Sequence, residues 1–258
     1  MSLPALHSDP PELRELVLPP ARHSRTRTAT TAPHEAPASP VFEEVVDWDS
    51  LEPRGLWYRV GRPLADELLL ALTLPPALVV IAVVALANAI AFGGFKRAFF
   101  VQPRVGQRGR IFNLIKFRTM REPTGTVFES WSNGDVARVT AMGRFLRSTH
   151  LDELPQLFNV VRGEMSFIGP RPEMIEVEEW ACANVPGFLE RLAIKPGITG
   201  WAQITQGYTP KDVAAYERKL ELNREYLSKL SLRTDLGIVA RTLVWMVMGR
   251  GWRWNKPK

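Results

Sequence analysis

The chain has 258 residues, of which 45% are hydrophobic, so it is long enough for one catalytic domain with appendages. Its formal net charge of +6 favours anionic partners such as phosphoesters, acidic lipid or nucleic acid. A single cysteine, Cys182, excludes an internal disulfide.

The first 50 residues are predicted to form a disordered tail. Residues 1–40 are rich in Pro, Ala, Thr and His, and they contain no apolar stretch typical of a secretory signal peptide. A segment of this composition cannot bury enough apolar surface to order itself. A tail without a specific function is therefore the simplest interpretation.

An uncharged apolar run at residues 68–92 follows the tail. Its 25 residues would form a straight helix about 37 Å long, enough to cross the hydrocarbon core of a bilayer. Pro75 and Pro76 interrupt the run, and proline within a helix removes a hydrogen bond and favours a kink.

Basic residues flank the apolar run on both sides: Arg54, Arg59, Arg62, Lys96, Arg97 and Arg104. A simple crossing would leave one basic flank outside the cell, against the positive-inside tendency. The sequence therefore predicts a re-entrant helix-break-helix at 51–95 that enters and leaves on the cytoplasmic side. A single kinked span remains the alternative.

Residues 96–258 are predicted to form a compact cytoplasmic domain with a mostly helical α/β fold. The predicted elements are a strand at 110–120, a polar loop at 123–134 and helices at 141–147, 152–161, 212–227 and 235–248. The last helix is apolar, and Trp252 and Trp254 follow it, so it lies either at the membrane interface or against the core.

Several basic residues have a spacing that suits phosphate binding. Lys116 and Arg118 are two apart on a predicted strand and share a face, where they could clamp a diphosphate. Arg144 and Arg147 are three apart on a helix and lie on one side of it. Arg171 lies between two prolines that hold its backbone rigid. Taken alone, Lys116 and Arg118 are better explained as a solvated strand face, and the alternative for Arg171 is a structural turn with a surface arginine.

An adjacent acidic pair, Asp152 and Glu153, lies among these cations. At a helix N-terminus the dipole would keep Asp152 ionised, which suits a nucleophile that attacks phosphorus. Glu153 could bind Mg²⁺, which takes one or two carboxylates together with waters and substrate phosphates. The alternative is that Asp152 only caps the helix, a contribution of about 1 kcal/mol.

Three segments, in this order, resemble the bacterial sugar transferase family: KFRTM at 116–120, LDELPQLFNVVRGEMSFIGPRPE at 151–173 and KPGITGWAQ at 195–203. These are the monotopic phosphoglycosyl transferases, which act on polyprenyl phosphates, and the likeness covers about residues 60–251. Two departures stand out. Pro75 and Pro76 replace a serine-proline break, and ITQGYTP after Gln203 is closer to the exopolysaccharide branch.

The resemblance implies a reaction at the cytoplasmic face of the bacterial inner membrane. A hexose-1-phosphate would pass from a UDP-sugar to undecaprenyl phosphate with release of UMP, through a phospho-sugar intermediate on Asp152. Mg²⁺ would be bound by Asp152 and Glu153. The residues expected to contact phosphate or substrate are Lys116, Arg118, Arg144, Arg147, Gln156, Asn159 and Arg171.

Other functions are weighed against this one. A non-catalytic, membrane-anchored scaffold of polysaccharide assembly would not need Asp152, Glu153 and Arg171 together. A nucleic-acid-binding protein is suggested by charge alone, and the apolar run argues against it, so no nucleic-acid partner is expected. The lipid bilayer is the expected partner, and self-association into a homo-oligomer is left open.

Overall fold

The computed structural model describes residues 46–122 and 137–248, which belong to one compact unit. The predicted tail up to residue 45, the predicted loop at 123–134, and Trp252 and Trp254 lie outside the described residues. The α-helices are α1 Trp48–Leu51, α2 Arg62–Phe92, α3 Phe95–Ala98, α4 Ala141–Ser148, α5 Leu157–Val161, α6 Ile175–Asn184, α7 Trp201–Gln206, α8 Val213–Ser228 and α9 Leu232–Val247. The strands are β1 Phe99–Val105, β2 Ile111–Phe117, β3 Ser166–Ile168 and β4 Gly197–Thr199. Over these described residues the fold is mostly helical with two small sheets, and the mostly helical character agrees with the prediction.

Helix α2 follows directly on a π-helical turn, Trp57–Gly61, and has 31 residues. Together they form the one helix in the described residues, Trp57–Phe92, that is long and apolar enough to cross a membrane. Only 22% of an 18-residue apolar stretch of this helix is buried. Most of its apolar surface therefore needs an environment other than the protein core. This surface is the evidence for membrane insertion.

The prolines do not divide α2 into two helices, and the predicted break in the helix is wrong in this respect. The backbone stays helical through Pro75 and Pro76 and ends at Gly93, which adopts the left-handed conformation (φ 75°). The two prolines lack the amides that would bond the carbonyls of Ala71 and Leu72, four residues earlier. One turn closer to the helix start, the Thr73 hydroxyl donates to the Leu69 carbonyl at 2.6 Å.

One folded domain holds both ends of α2. At the start, the buried Arg62 donates to the Ser166 hydroxyl at 3.2 Å and to the Ile168 carbonyl. At the far end, the Asn88 amide donates to the carbonyls of Ala98 (3.1 Å) and Arg118 (3.0 Å). The helix is thus attached to the domain near both of its termini.

The second half of α2 also contributes to the main hydrophobic core. Its buried side chains pack with one residue each from β2, α4 and α5: Ala77, Ile81, Val84 and Ala85 with Phe117, Leu146 and Leu157. Because β2, α4 and α5 surround the acidic pair in space, the same core that anchors α2 also fixes the predicted site.

The two sheets bring separate motif segments together. Strands β1 and β2 form an antiparallel pair in which Lys116 lies opposite Phe100. Strands β3 and β4 pair in parallel, with Ser166 opposite Gly197. A Cβ atom at Gly197 would lie 2.0 Å from the Gly169 nitrogen, so only glycine permits this approach. The strand predicted at 110–120 is confirmed as β2.

The predicted helices are largely confirmed. Helix α4 begins after Thr140, whose hydroxyl accepts from the Gly143 amide at 2.9 Å, and α8 begins after Asp212, which caps it in the same way. Helix α9 begins three residues earlier than predicted. It buries Ile238 in the core and exposes Leu236 and Leu243, so it has both the core face and the apolar outer face that the sequence proposed as alternatives.

Candidate functional site

The acidic pair lies in a 3₁₀ helix, Leu151–Gln156, which precedes α5. The sequence predicted one α-helix from 152 to 161 with Asp152 at its cap, and the structure corrects both points. His150 occupies the cap position in the left-handed conformation (φ 58°) and makes no side-chain capping bond. Since Asp152 is not the cap, a capping role does not account for its presence.

Glu153 is a partly buried anion held by two cations. Its Oε1 atom lies 2.7 Å from Lys116 Nζ on β2 and 3.6 Å from an Arg171 nitrogen. Burial alone would raise the pKa of Glu153, but the charges of Lys116 and Arg171 outweigh it and lower the pKa to about 2. The carboxylate therefore stays ionised at neutral pH and links β2 to the turn that carries Arg171.

The pKa of Asp152 is shifted in the opposite direction, so the helix dipole invoked from the sequence does not account for the shift. Burial, followed by the charge of Glu153, raises the pKa of Asp152 to about 6, against the opposing charges of Lys116, Arg147 and His150. At neutral pH the carboxylate is mostly ionised but more basic than an ordinary aspartate. This combination of ionisation and basicity suits a nucleophile.

The predicted phosphate-binding cations divide into two groups. Lys116 and Arg171 contact the acidic pair, and the charge of Arg147 reaches Asp152 while its Nε donates to the Thr119 hydroxyl at 2.8 Å. The hydrogen bonds that Arg118 and Arg144 make with backbone carbonyls lie away from the acidic pair. Arg118 follows the last residue of β2 and donates to the Arg97 carbonyl at 2.8 Å. Arg144 is exposed and donates to the Val139 carbonyl at 3.3 Å.

The two predicted amide ligands, Gln156 and Asn159, are both buried. Asn159 accepts a hydrogen bond from the Ile115 amide at 3.1 Å and donates to the Asn113 carbonyl (2.7 Å) and the Glu164 carboxylate (2.6 Å). It therefore ties α5 to β2, a structural role. Contact of either amide with substrate stays a prediction.

Arg104 on β1 is a cation of this site that the sequence argument missed. It was counted only among the basic residues that flank the membrane segment. Its guanidinium donates to the Pro172 carbonyl at 3.2 Å and to Gln102 Oε1 at 2.8 Å, and its Nε is buried without a partner. Burial, with Arg171 nearby, lowers the pKa of Arg104 to about 10, although Glu173 and Glu153 act in the opposite direction.

The carboxylates at this site could bind Mg²⁺ only together with ligands from outside the protein, such as substrate phosphates and waters. Within residues 46–122 and 137–248 there is no group of three or more His, Cys, Asp or Glu side chains that could hold a metal ion. Asp152 and Glu153 supply two carboxylates, and one Glu153 oxygen is engaged by Lys116. Because Mg²⁺ commonly completes its shell with waters and substrate phosphates, the pair suits a site that a bound diphosphate would complete.

Comparison with known proteins connects this geometry to a family. The relatives include the UDP-N-acetylgalactosamine-undecaprenyl-phosphate N-acetylgalactosaminephosphotransferase of Aeromonas hydrophila, 40% identical over 60% of this chain and 36% of that protein. They also include the UDP-glucose:undecaprenyl-phosphate glucose-1-phosphate transferase of Xanthomonas campestris pv. campestris, 34% identical over 74% of this chain and 40% of that protein.

The chain thus spans well under half the length of these two relatives. A relative from Caulobacter vibrioides, also described as a UDP-glucose:undecaprenyl-phosphate glucose-1-phosphate transferase, is 39% identical over 57% of this chain and 55% of its own length. The family model for bacterial sugar transferases matches residues 57–249, which include α2, both sheets and every residue of the site. The chain belongs to the bacterial sugar transferase family.

Proposed function

We propose that this protein transfers a sugar-1-phosphate from a UDP-sugar to undecaprenyl phosphate and releases UMP. The observation that carries the proposal is the partly buried, basic carboxylate of Asp152, which lies beside an ionised Glu153 and the cations Lys116 and Arg171. The domain with this site also holds a helix of membrane length, as an enzyme with a lipid-borne substrate requires. The relatives carry names that describe this class of reaction.

In the first step an Asp152 carboxylate oxygen attacks the phosphorus that bears the sugar. A new bond joins Asp152 to phosphorus, and the bond from this phosphorus to the oxygen bridging the two phosphates breaks. The electron pair leaves with UMP. In the second step a phosphate oxygen of the polyprenyl phosphate attacks the same phosphorus, which frees Asp152 and forms the lipid diphosphate sugar. One phosphoanhydride replaces another, so no other energy source is needed.

Catalysis of this kind depends mainly on positioning and charge neutralisation. Lys116 and Arg171 supply positive charge beside the pair, and the charge of Arg147 stabilises ionised Asp152. Asp152 and Glu153 are the residues that would hold Mg²⁺, which would neutralise charge on the substrate phosphates. Glu153 also keeps Lys116 and Arg171 together before substrate binds.

The proposed activity is tested with a panel of UDP-sugars in the presence of undecaprenyl phosphate and Mg²⁺. UMP release with at least one hexose or N-acetylhexosamine donor, and transfer of its sugar to the lipid, is the expected result. If no donor in the panel releases UMP, the proposed reaction is contradicted and the non-catalytic scaffold becomes the better interpretation.

We further propose that both ends of α2 lie on the cytoplasmic side of the inner membrane. Arg62 near one end and Asn88 near the other bond to the same domain, and basic residues flank both ends. The apolar face of α9, exposed at Leu236 and Leu243, would lie at the same interface. The helix would then enter the bilayer from the cytoplasmic side without crossing it.

The topology predicts equal protection of two sites in intact cells. Single cysteines at the exposed Ser50 and Ser148, placed in a Cys182→Ala background, flank α2 in the chain. Both should resist a membrane-impermeant maleimide in intact cells, and both should react after permeabilisation, which serves as the control. Labelling of the first position alone in intact cells would show that α2 crosses the membrane.

A further inference from the structure

The backbone of the turn that carries Arg171 is hydrogen-bonded to the rest of the protein at every residue from 170 to 173. The carbonyls of four consecutive residues, 170–173, each accept a hydrogen bond from another part of the chain. The donors, in the order of these residues, are the Gly197 amide (2.9 Å), Arg191 Nη1 (2.9 Å), Arg104 Nη1 (3.2 Å) and the Val105 amide (3.1 Å). Every peptide carbonyl of the turn is therefore fixed in place.

The Arg171 side chain itself is held much less firmly. It is 40% exposed, and its contact with Glu153 is an approach of 3.6 Å. Because few contacts hold the Arg171 guanidinium, its position depends on the position of the backbone that carries it. The exposed side of the guanidinium remains available to a ligand. The placement of the turn thus decides where the Arg171 charge lies.

Arg104 differs from the other three donors of this turn. The Gly197 and Val105 donors are backbone amides of the sheets, and Arg191 is fully buried in an ion pair with Glu178. Arg104 is instead a cation at the edge of the site, and both of its terminal nitrogens are engaged by the protein, through Pro172 and Gln102. It sits close enough to Arg171 and Glu153 for their charges to influence its own.

We propose that Arg104 is a positioning residue for Arg171. By holding the Pro172 carbonyl, it sets where the Arg171 guanidinium meets Glu153 and a bound diphosphate. This inference rests on the proposed function for the identity of the ligand. Direct contact of Arg104 with phosphate is the competing role, although one bond from each terminal nitrogen already goes to the protein, at Pro172 and Gln102.

A double-mutant cycle separates the two roles. Arg104→Met, Arg171→Met and the double variant are compared by kcat/KM for UMP release with the best UDP-sugar. Because a small misplacement of a catalytic contact is costly, Arg104→Met should lower kcat/KM by about 10- to 100-fold. If Arg104 acts through Arg171, the double variant should be within about threefold of Arg171→Met alone. If the reductions in kcat/KM of the two single variants multiply in the double variant, the proposal is overturned.

Two further variants complete the design. Arg110→Met removes an exposed arginine from the loop between β1 and β2 and should leave kcat/KM unchanged. Arg104→Lys keeps the charge and one donor for the Pro172 carbonyl, so it should retain more activity than Arg104→Met. It also replaces Arg104→Met in the cycle if that variant does not fold. Equal activity of Arg104→Lys and wild type, with Arg104→Met also unimpaired, would refute a positioning role.

Hydrogen–deuterium exchange tests the placement of the turn without reference to activity. Amides within residues 169–175 should exchange faster in the Arg104 variant than in wild type or Arg110→Met. Unchanged exchange in this segment would overturn the proposal by itself. If wild-type protein releases no UMP, the proposed reaction fails, and the exchange result still decides whether Arg104 holds the turn.

Discussion

Replacement of Asp152 by asparagine is expected to abolish turnover while the fold survives. Asp152→Asn keeps the size of the side chain and removes the carboxylate that attacks phosphorus. Loss of a covalent nucleophile lowers kcat by about three orders of magnitude or more. Because Asp152 does not cap its helix, the substitution should leave the thermal unfolding temperature close to that of wild type. UMP release and unfolding are measured on the same preparation.

Asp49→Asn is the matched control for this experiment. Asp49 is an exposed acid of α1 that pairs with Arg108, so the same chemical change occurs outside the site. The activity of the Asp49→Asn protein should equal that of wild type. A folded Asp152→Asn protein with near wild-type turnover would show that another group carries the chemistry, and the proposed mechanism would be wrong.

The second large effect is expected in stability, at the buried ion pair of Glu178 and Arg191. Both side chains are completely buried, and Arg191 also packs against the ring of Phe188 with its charge 4.4 Å from the ring centre. Arg191→Met would leave the Glu178 carboxylate buried without its partner. Removal of one member of a buried pair costs about 3–5 kcal/mol, so the variant should be strongly destabilised.

A double variant tests whether the unpaired charge of Glu178 causes the loss of stability. Replacement of both residues, Arg191→Met with Glu178→Met, removes the unpaired charge and should recover much of the lost stability. Arg224→Met breaks a partly exposed pair with Glu190 and should cost about 1 kcal/mol or less. The free energy of unfolding is compared by denaturant titration in detergent. A double variant as unstable as Arg191→Met would show that packing or the Arg171 carbonyl, rather than charge, dominates.

The sequence was informative where a family motif or a local pattern carried the signal. The resemblance predicted that Lys116, Asp152, Glu153 and Arg171 belong to one site, and the ion pairs of Glu153 show that Lys116 and Arg171 meet there. It also predicted β2, α4 and α8, because alternation and capping residues act locally. Their roles in substrate binding stay predictions.

What the sequence missed depends on tertiary contacts. Arg104 reaches the site because β1 pairs with β2 and passes beside the 170–173 turn, and no spacing in the chain encodes this. The raised pKa of Asp152 follows from burial, which the sequence could not supply. The prolines of α2 suggested a break because proline removes a helical hydrogen bond, whereas the backbone stays helical through both of them.

The most direct test of the central claim is a burst measurement with UDP-sugar alone. Because a covalent step precedes the arrival of the lipid, the wild-type protein should release UMP up to about one equivalent and gain the mass of one sugar phosphate. Addition of undecaprenyl phosphate should then remove that mass. If no UMP appears until both substrates are present, and no adduct forms, transfer through Asp152 is contradicted.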